Sequence, residues 1–204
     1  MIHLYWGHGR PLLPWLPLYL RQLHNGDKTP RHHRRSRRGG IEVFEWDETK
    51  LPFKLRALCD RAMPLVPRQY GWRHRANIVR AWMLREHGGV WLDYDAIPLA
   101  PIVDLWPRPW AMEAGRGKLC SCGLGFDAGD PILDALIEHI ERSIGQGLPP
   151  RTSPLASGEQ LLQSVGGGAI NLHSLRFDSR GNVVDPTSPL IHLWGHRVPP
   201  PGEA

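Results

Sequence analysis

The sequence predicts an α/β fold, a mainly parallel central sheet flanked by helices, on three observations. Short apolar or alternating stretches at residues 2–6, 41–46 and 90–95 read as strands. Stretches at 73–87 and 131–144 carry apolar residues at helical spacing, and the two kinds of element alternate along the chain. With 41% hydrophobic and 22% charged residues over 204 positions, the composition is that of a globular protein and excludes full-length disorder.

In chain order, Ile2-His3-Leu4-Tyr5-Trp6 reads as a buried strand stopped by Gly7-His8-Gly9, followed by a helix over Trp15 to Leu23. Pro11, Pro14 and Pro17 also have the three-residue spacing of polyproline II. The apolar stretch Pro11 to Leu20 has ten residues, whereas a bilayer-spanning helix needs about 20. The start of the chain shows no cationic segment and no small-residue cleavage site, so a cytoplasmic location is expected. Ile41 to Trp46 alternates as a half-exposed strand does. In the helix from Arg73 to His87, Ile78, Val79, Trp82, Met83 and Leu84 share one face, and Gly88-Gly89 can end it in left-handed geometry.

The strand Val90-Trp91-Leu92-Asp93-Tyr94-Asp95 follows, ending in acidic residues. Another strand is expected near Cys122 to Phe126. Asp130 then suits an N-cap with Pro131 at the first helical position, ahead of a stripe of Ile132, Leu133, Leu136, Ile137, Ile140 and Ile144. One domain over residues 1–197 is expected, with a basic loop inserted at 28–40 and a disordered Pro-rich tail at 198–204.

The formal charge is +5, from 25 Lys and Arg against 20 Asp and Glu, and much of the excess lies in the run Arg31 to Arg38. Its like charges repel, so it reads first as a solvated loop and second as a handle for an anionic lipid surface, nucleic acid or a phosphorylated acceptor. No aromatic residue interleaves the run, which argues against nucleic acid. Cys59, Cys120 and Cys122 are too few for a disulfide framework, and a Cys-x-Cys pair cannot hold zinc by itself, so reduced thiols are expected.

In open α/β sheets ligands lie beyond the carboxyl ends of the strands, where Asp93 and Asp95 fall. Two carboxylates at i and i+2 can converge on one hard cation, which would bridge them to a diphosphate. The same pair would serve other metal-dependent phosphoryl chemistry, but no Gly-rich loop with Gly-Lys-Ser/Thr accompanies it. Asn77 and Arg80, three apart, share a helical face and can reach one ligand, with Arg80 able to fork onto phosphate or sugar oxygens.

The block from Arg75 to Asp95, a helix leading through Gly88-Gly89 and an apolar-aromatic strand into Asp93-Tyr94-Asp95, resembles the signature of the family 32 glycosyltransferases, related to the catalytic domains of the large glucosylating toxins. Ile2, His3, Trp6 and Gly7 are similar to the family's opening strand, and Ile191-His192-Leu193-Trp194 to its terminal segment. The resemblance implies a GT-A-like domain, the nucleotide-diphospho-sugar transferase fold. It also implies transfer of a hexose, with retention, from a UDP- or GDP-sugar to an acceptor hydroxyl in polysaccharide or glycoconjugate synthesis.

On this reading Asp93 and Asp95 hold Mn2+ or Mg2+, with His192 as a late ligand and His196 in reserve. Arg80 and Asn77 position the donor, and Trp6 stacks on the nucleobase. Trp6 as core packing and His192 as a structural histidine are the competing readings. The acceptor is a glycan, a lipid-linked sugar or a protein, and the basic run would allow peripheral contact with an anionic inner membrane face. Asp127 and Glu159 are the candidates for a general base, and Gln160 stands beside Glu159. Ala76 and Asn77 replace the serine and aspartate of the family's Ser-Asp-x-x-Arg pattern. This departure supports an alternative, a catalytically degenerate module that binds anionic partners through its Arg-rich loop.

Overall fold

A computed structural model describes residues 2–6, 43–68, 71–93, 95–98, 108–113, 119–150, 170–174, 185–188 and 190–192. The opening strand forms as β1 (Ile2–Trp6) and the alternating stretch as β2 (Val43–Asp47). Helix α1 (Phe53–Ala62) follows, with a 3-10 turn at Met63–Leu65, and then α2 (Gly71–His87). Beyond it come β3 (Gly89–Leu92), β4 (Ala96–Pro98), β5 (Trp110–Glu113), β6 (Leu119–Phe126), α3 (Pro131–Gly145), β7 (Asn171–Ser174) and β8 (Leu190–His192). The helix expected over Trp15 to Leu23, the basic loop 28–40 and the tail 198–204 lie outside the described residues.

The main sheet has the order β2-β1-β3-β6-β5-β7, and β4 pairs with β8 in a second, two-stranded antiparallel sheet. The pairs β1–β2, β1–β3 and β5–β7 are parallel, and β6 runs against both neighbours, so the sheet is mixed but mainly parallel. Between Ala111 and Met112 the β5–β6 register jumps from Leu124 to Cys120, leaving Ser121 to Gly123 as slack in the ladder.

Helix α1 was not anticipated, although its buried Leu55, Leu58, Cys59 and Ala62 fall at i, i+3, i+4 and i+7. In α2, Ile78, Val79, Met83 and Leu84 are buried as their spacing predicts. Trp82 is only half-buried, because it faces a surface groove shared with Phe53, Leu58 and Glu141 instead of the sheet. In α3 the whole apolar stripe is buried, and Asp130 caps the helix by accepting from Ile132 N–H at 2.9 Å. The three helices and the sheet residues Tyr5, Trp91, Ala111, Leu124 and Phe126 form one hydrophobic cluster.

The turn from α2 into β3 uses Gly88 at φ +61° and Gly89 at φ +99°, as the glycine pair suggested. A Cβ on Gly88 would come within 2.6 Å of the Ala128 backbone nitrogen, so both conformation and space demand glycine. On β6, a Cβ at Gly125 would lie 2.1 Å from the buried Trp110 indole and one at Gly123 2.9 Å from Leu190.

The strand expected to run to Asp95 stops at Leu92. Asp93 donates its N–H to Cys122 O at 2.8 Å, and its own carbonyl accepts from Ala96 N–H at 2.9 Å. That short turn folds the chain away from the ladder and places the acidic residues just beyond the strand.

Candidate active site

Strands β1, β2 and β3 run in one direction, so their carboxyl ends share an edge, and Asp93 lies at that edge. The Gly88 turn sends α2 back over the sheet with its N-terminal half above the end of β3. Arg80, 5% exposed, therefore reaches Asp93: its Nη2 donates to Oδ1 at 3.0 Å. Its Nη1 donates to Ser121 O, and its guanidinium lies 5.4 Å from the centre of the Trp91 ring. Trp91 Nε1 donates to the same Asp93 Oδ1 at 2.8 Å. Two fixed donors on one oxygen orient the carboxylate and leave Oδ2 for another ligand.

The small sheet brings in the remaining group. β8 pairs with β4 in the register Ala96↔His192, which sets His192 beside Asp95. His192 Nε2 is 3.1 Å from Asp95 Oδ1, and Nδ1 is 3.8 Å from Cys120 Sγ. Burial works to lower the His192 pKa, but its partners Asp95 and Cys120 outweigh it and push it up to about 10. Cys120 is lowered, chiefly by a hydrogen bond from Cys122 and, against burial, by His192. Cys122 is raised by its own burial and by Cys120. The carboxylate and the sulfur on either side thus favour the protonated ring, and a cation would compete with that proton for the imidazole.

One ligand atom each from Asp93, Asp95 and His192 lies within 4.8 Å of the others. Two carboxylate oxygens and an imidazole nitrogen fit a Mn2+ ion, and the carboxylates alone fit Mg2+. The three residues are separated by up to 99 positions in the chain, and the sheet register unites them.

Asn77 lies one turn before Arg80 on α2, half-buried and further towards the same edge. Trp6 ends β1 with Asp47 as its partner on β2, but its ring is outside what the structure describes. His196, Glu159, Gln160 and the arginine run also lie outside the described residues. Asp127 does not join the site. It follows β6, which runs against β3 with Phe126 opposite Gly89, so it sits at the far edge of the sheet, about 13 Å of strand away from Asp93. There it is exposed and pairs with Arg108 at 3.1 Å.

Two features escaped the sequence reading. Cys120 and Ser121 belong to the site, and nothing local in the sequence signals it, because their partners His192 and Arg80 lie 72 and 41 positions away. Near the ends of β1 and β2, Arg75 grips Glu48 with two bonds, Nε to Oε1 at 2.7 Å and Nη2 to Oε2 at 2.5 Å. It also reaches Asp60 at 3.0 Å, while Tyr5 Oη donates to Glu48. Burial and the Glu48 contact raise the Tyr5 pKa, so its hydroxyl stays a donor.

No protein-family model matches the chain, and none of the curated proteins matches it. Among solved structures the chain is similar to one described as "PaToxG Glycosyltransferase", with a TM-score of 0.52 and 13% sequence identity, over 80% of this chain and 67% of that one. At such identity the likeness bears on architecture alone: the mixed sheet and the three helices among the described residues form an α/β fold of the GT-A-like kind.

Proposed function

We propose that the chain is a metal-dependent hexosyltransferase similar to family 32, moving a sugar from a UDP- or GDP-sugar to an acceptor hydroxyl with retention. The observation that carries this reading is the convergence of Asp93, Asp95 and His192 within 4.8 Å at the carboxyl edge of the sheet, with Asp93 held in place by Arg80 and Trp91. A Mn2+ or Mg2+ ion bound there would neutralise a leaving diphosphate.

The chain's own residues do the rest. Arg80 and Trp91 fix the Asp93 carboxylate through Oδ1. Asp95 orients His192 through Nε2. Asn77 offers a neutral amide to a donor hydroxyl, and Trp6 at the end of β1 offers a ring for the nucleobase. Retention places no demand for a general base on Asp127, whose position at the far edge of the sheet suits that reading. The acceptor is a glycan, lipid-linked sugar or protein, met on the cytoplasmic side with the arginine run against an anionic membrane.

Thermal unfolding with UDP, GDP and their sugars, with and without manganese, tests the donor site, because a ligand of the folded state raises the midpoint. The expected result is a manganese-dependent rise with one nucleotide class, abolished together with donor hydrolysis in the Asp93→Asn, Asp95→Asn double variant. Hydrolysis unchanged in that variant would overturn the proposal.

A further inference from the structure

Cys120 and Cys122 are two positions apart on β6, the spacing that puts side chains on the same side of a strand. As a pair they lack a third ligand, and the fold supplies one. One ligand atom each from Cys120, Cys122 and His192 lies within 4.8 Å of the others, and all three side chains are buried. In a tetrahedral zinc centre, bonds of about 2.3 Å to sulfur and about 2.0 Å to nitrogen hold sulfur and nitrogen roughly 3.5 Å apart. The Cys120 Sγ to His192 Nδ1 distance of 3.8 Å is close to that value. Each half of the cluster is braced: Asp93 N–H binds the Cys122 carbonyl at 2.8 Å, and Asp95 holds the other His192 nitrogen at 3.1 Å. Asp93 and Asp95, both partly exposed, give a cation a way in.

We propose that Cys120, Cys122 and His192, through Nδ1, bind a thiophilic divalent cation of the zinc class, with water in the fourth position. Sulfur ligands select such an ion over the manganese and magnesium that suit Asp93 and Asp95. The thiols bind as thiolates and His192 through a deprotonated Nδ1; the protons displaced from sulfur and from Nδ1 pass to solvent, and Nε2–H stays on Asp95. Both clusters draw on one imidazole, so a cation at the sulfur atoms changes what the carboxylates can use as a third ligand. The inference stands on the sulfur cluster and holds whether or not the chain transfers sugars.

The test is titration of the full, reduced chain with Co2+ as a spectroscopic probe. The expected spectrum has a near-ultraviolet sulfur-to-cobalt charge-transfer band with intense tetrahedral ligand-field bands, both erased by Zn2+. Cys120→Ser and Cys122→Ser should each weaken Co2+ binding by about tenfold or more and diminish the charge-transfer band, whereas Asp93→Asn should keep it. Serine at these buried positions can also harm folding, so a second measurement uses the unaltered protein. Zn2+ should slow alkylation of Cys120 and Cys122, mapped by mass spectrometry, and leave Cys59 unchanged. A Co2+ spectrum without the sulfur band, a band that persists undiminished in both serine variants, or alkylation unaffected by Zn2+ would overturn the proposal.

Discussion

Arg80 commits both terminal nitrogens inside the protein, one to Ser121 O and one to Asp93, while its buried Nε has no hydrogen-bond partner among the described residues. Its guanidinium also covers Trp91. A lysine at this position presents one point of charge and cannot serve both oxygens while lying flat on the indole. Arg80→Lys is therefore expected to lower stability by about 1–3 kcal/mol, less than for a fully buried ion pair because Asp93 is partly exposed. Urea unfolding reads that loss, and the manganese-dependent midpoint shift should shrink with it. A variant as stable as the parent would show that the Asp93 carboxylate needs no anchor.

At the scale of the element, the α2–β3 turn and the loop between β6 and α3 separate conformation from space. Gly88 and Gly129 both have positive φ, +61° and +72°, but a Cβ would collide with the Ala128 backbone at Gly88 and meet nothing within 4 Å at Gly129. Gly129→Ala should thus cost only the left-handed backbone penalty, about 1 kcal/mol, and Gly88→Ala at least about 2 kcal/mol more as the turn shifts against α3's approach. Equal losses in chemical denaturation would argue that the turn relaxes freely.

This turn was readable because glycine pairs after an amphipathic stretch have one common structural use, and α3 was readable because cap, proline and stripe agree. Helix α1 carried the same apolar period over only ten residues among charges, and it passed unnoticed. Strands β4, β5, β7 and β8 have three or four residues each, too few for a pattern to rise above chance, and partners far along the chain define them. The site divides in the same way. Asp93, Asp95 and Arg80 sit in one continuous block, whereas the sulfur cluster and the exclusion of Asp127 follow only from sheet order.

Across the whole molecule, His3 ties three elements at once. Trp46 Nε1 donates to its Nδ1 at 3.1 Å, so Nε2 carries the hydrogen and donates to Gly88 O at 2.9 Å. The ring also lies beside Phe44, Trp46 and His87 with centroids about 6 Å apart. Burial, together with His87 and against the bond to Gly88, lowers its pKa from 6.5 to about 4. The unfolded chain therefore takes up a proton first as pH falls, so stability is full above about 6.5, declines from there to about 4, and is flat in this respect below. The contribution at stake is about 3 kcal/mol. Unfolding free energies measured from pH 7.5 to 4.5 should fall more steeply for the parent than for His3→Gln; parallel curves would refute the assignment.

The slack in the β5–β6 ladder divides β6 into two halves with different duties. Leu124 and Phe126 belong to the hydrophobic cluster, whereas Cys120, Ser121 and Cys122 belong to the site. A strand in strict register would pass any change of length straight into the core as a slip that turns every side chain over. Here the three residues Ser121 to Gly123 are out of step with β5 but held on their other side, Gly123 by Leu92 and the Cys122 carbonyl by Asp93 N–H, so a change of length before Gly123 is expected to move the binding edge while the packed half keeps its place. Variation in ligand chemistry on this scaffold is thereby expected to enter through chain length at one point, as well as through the identity of the residues that touch the ligand.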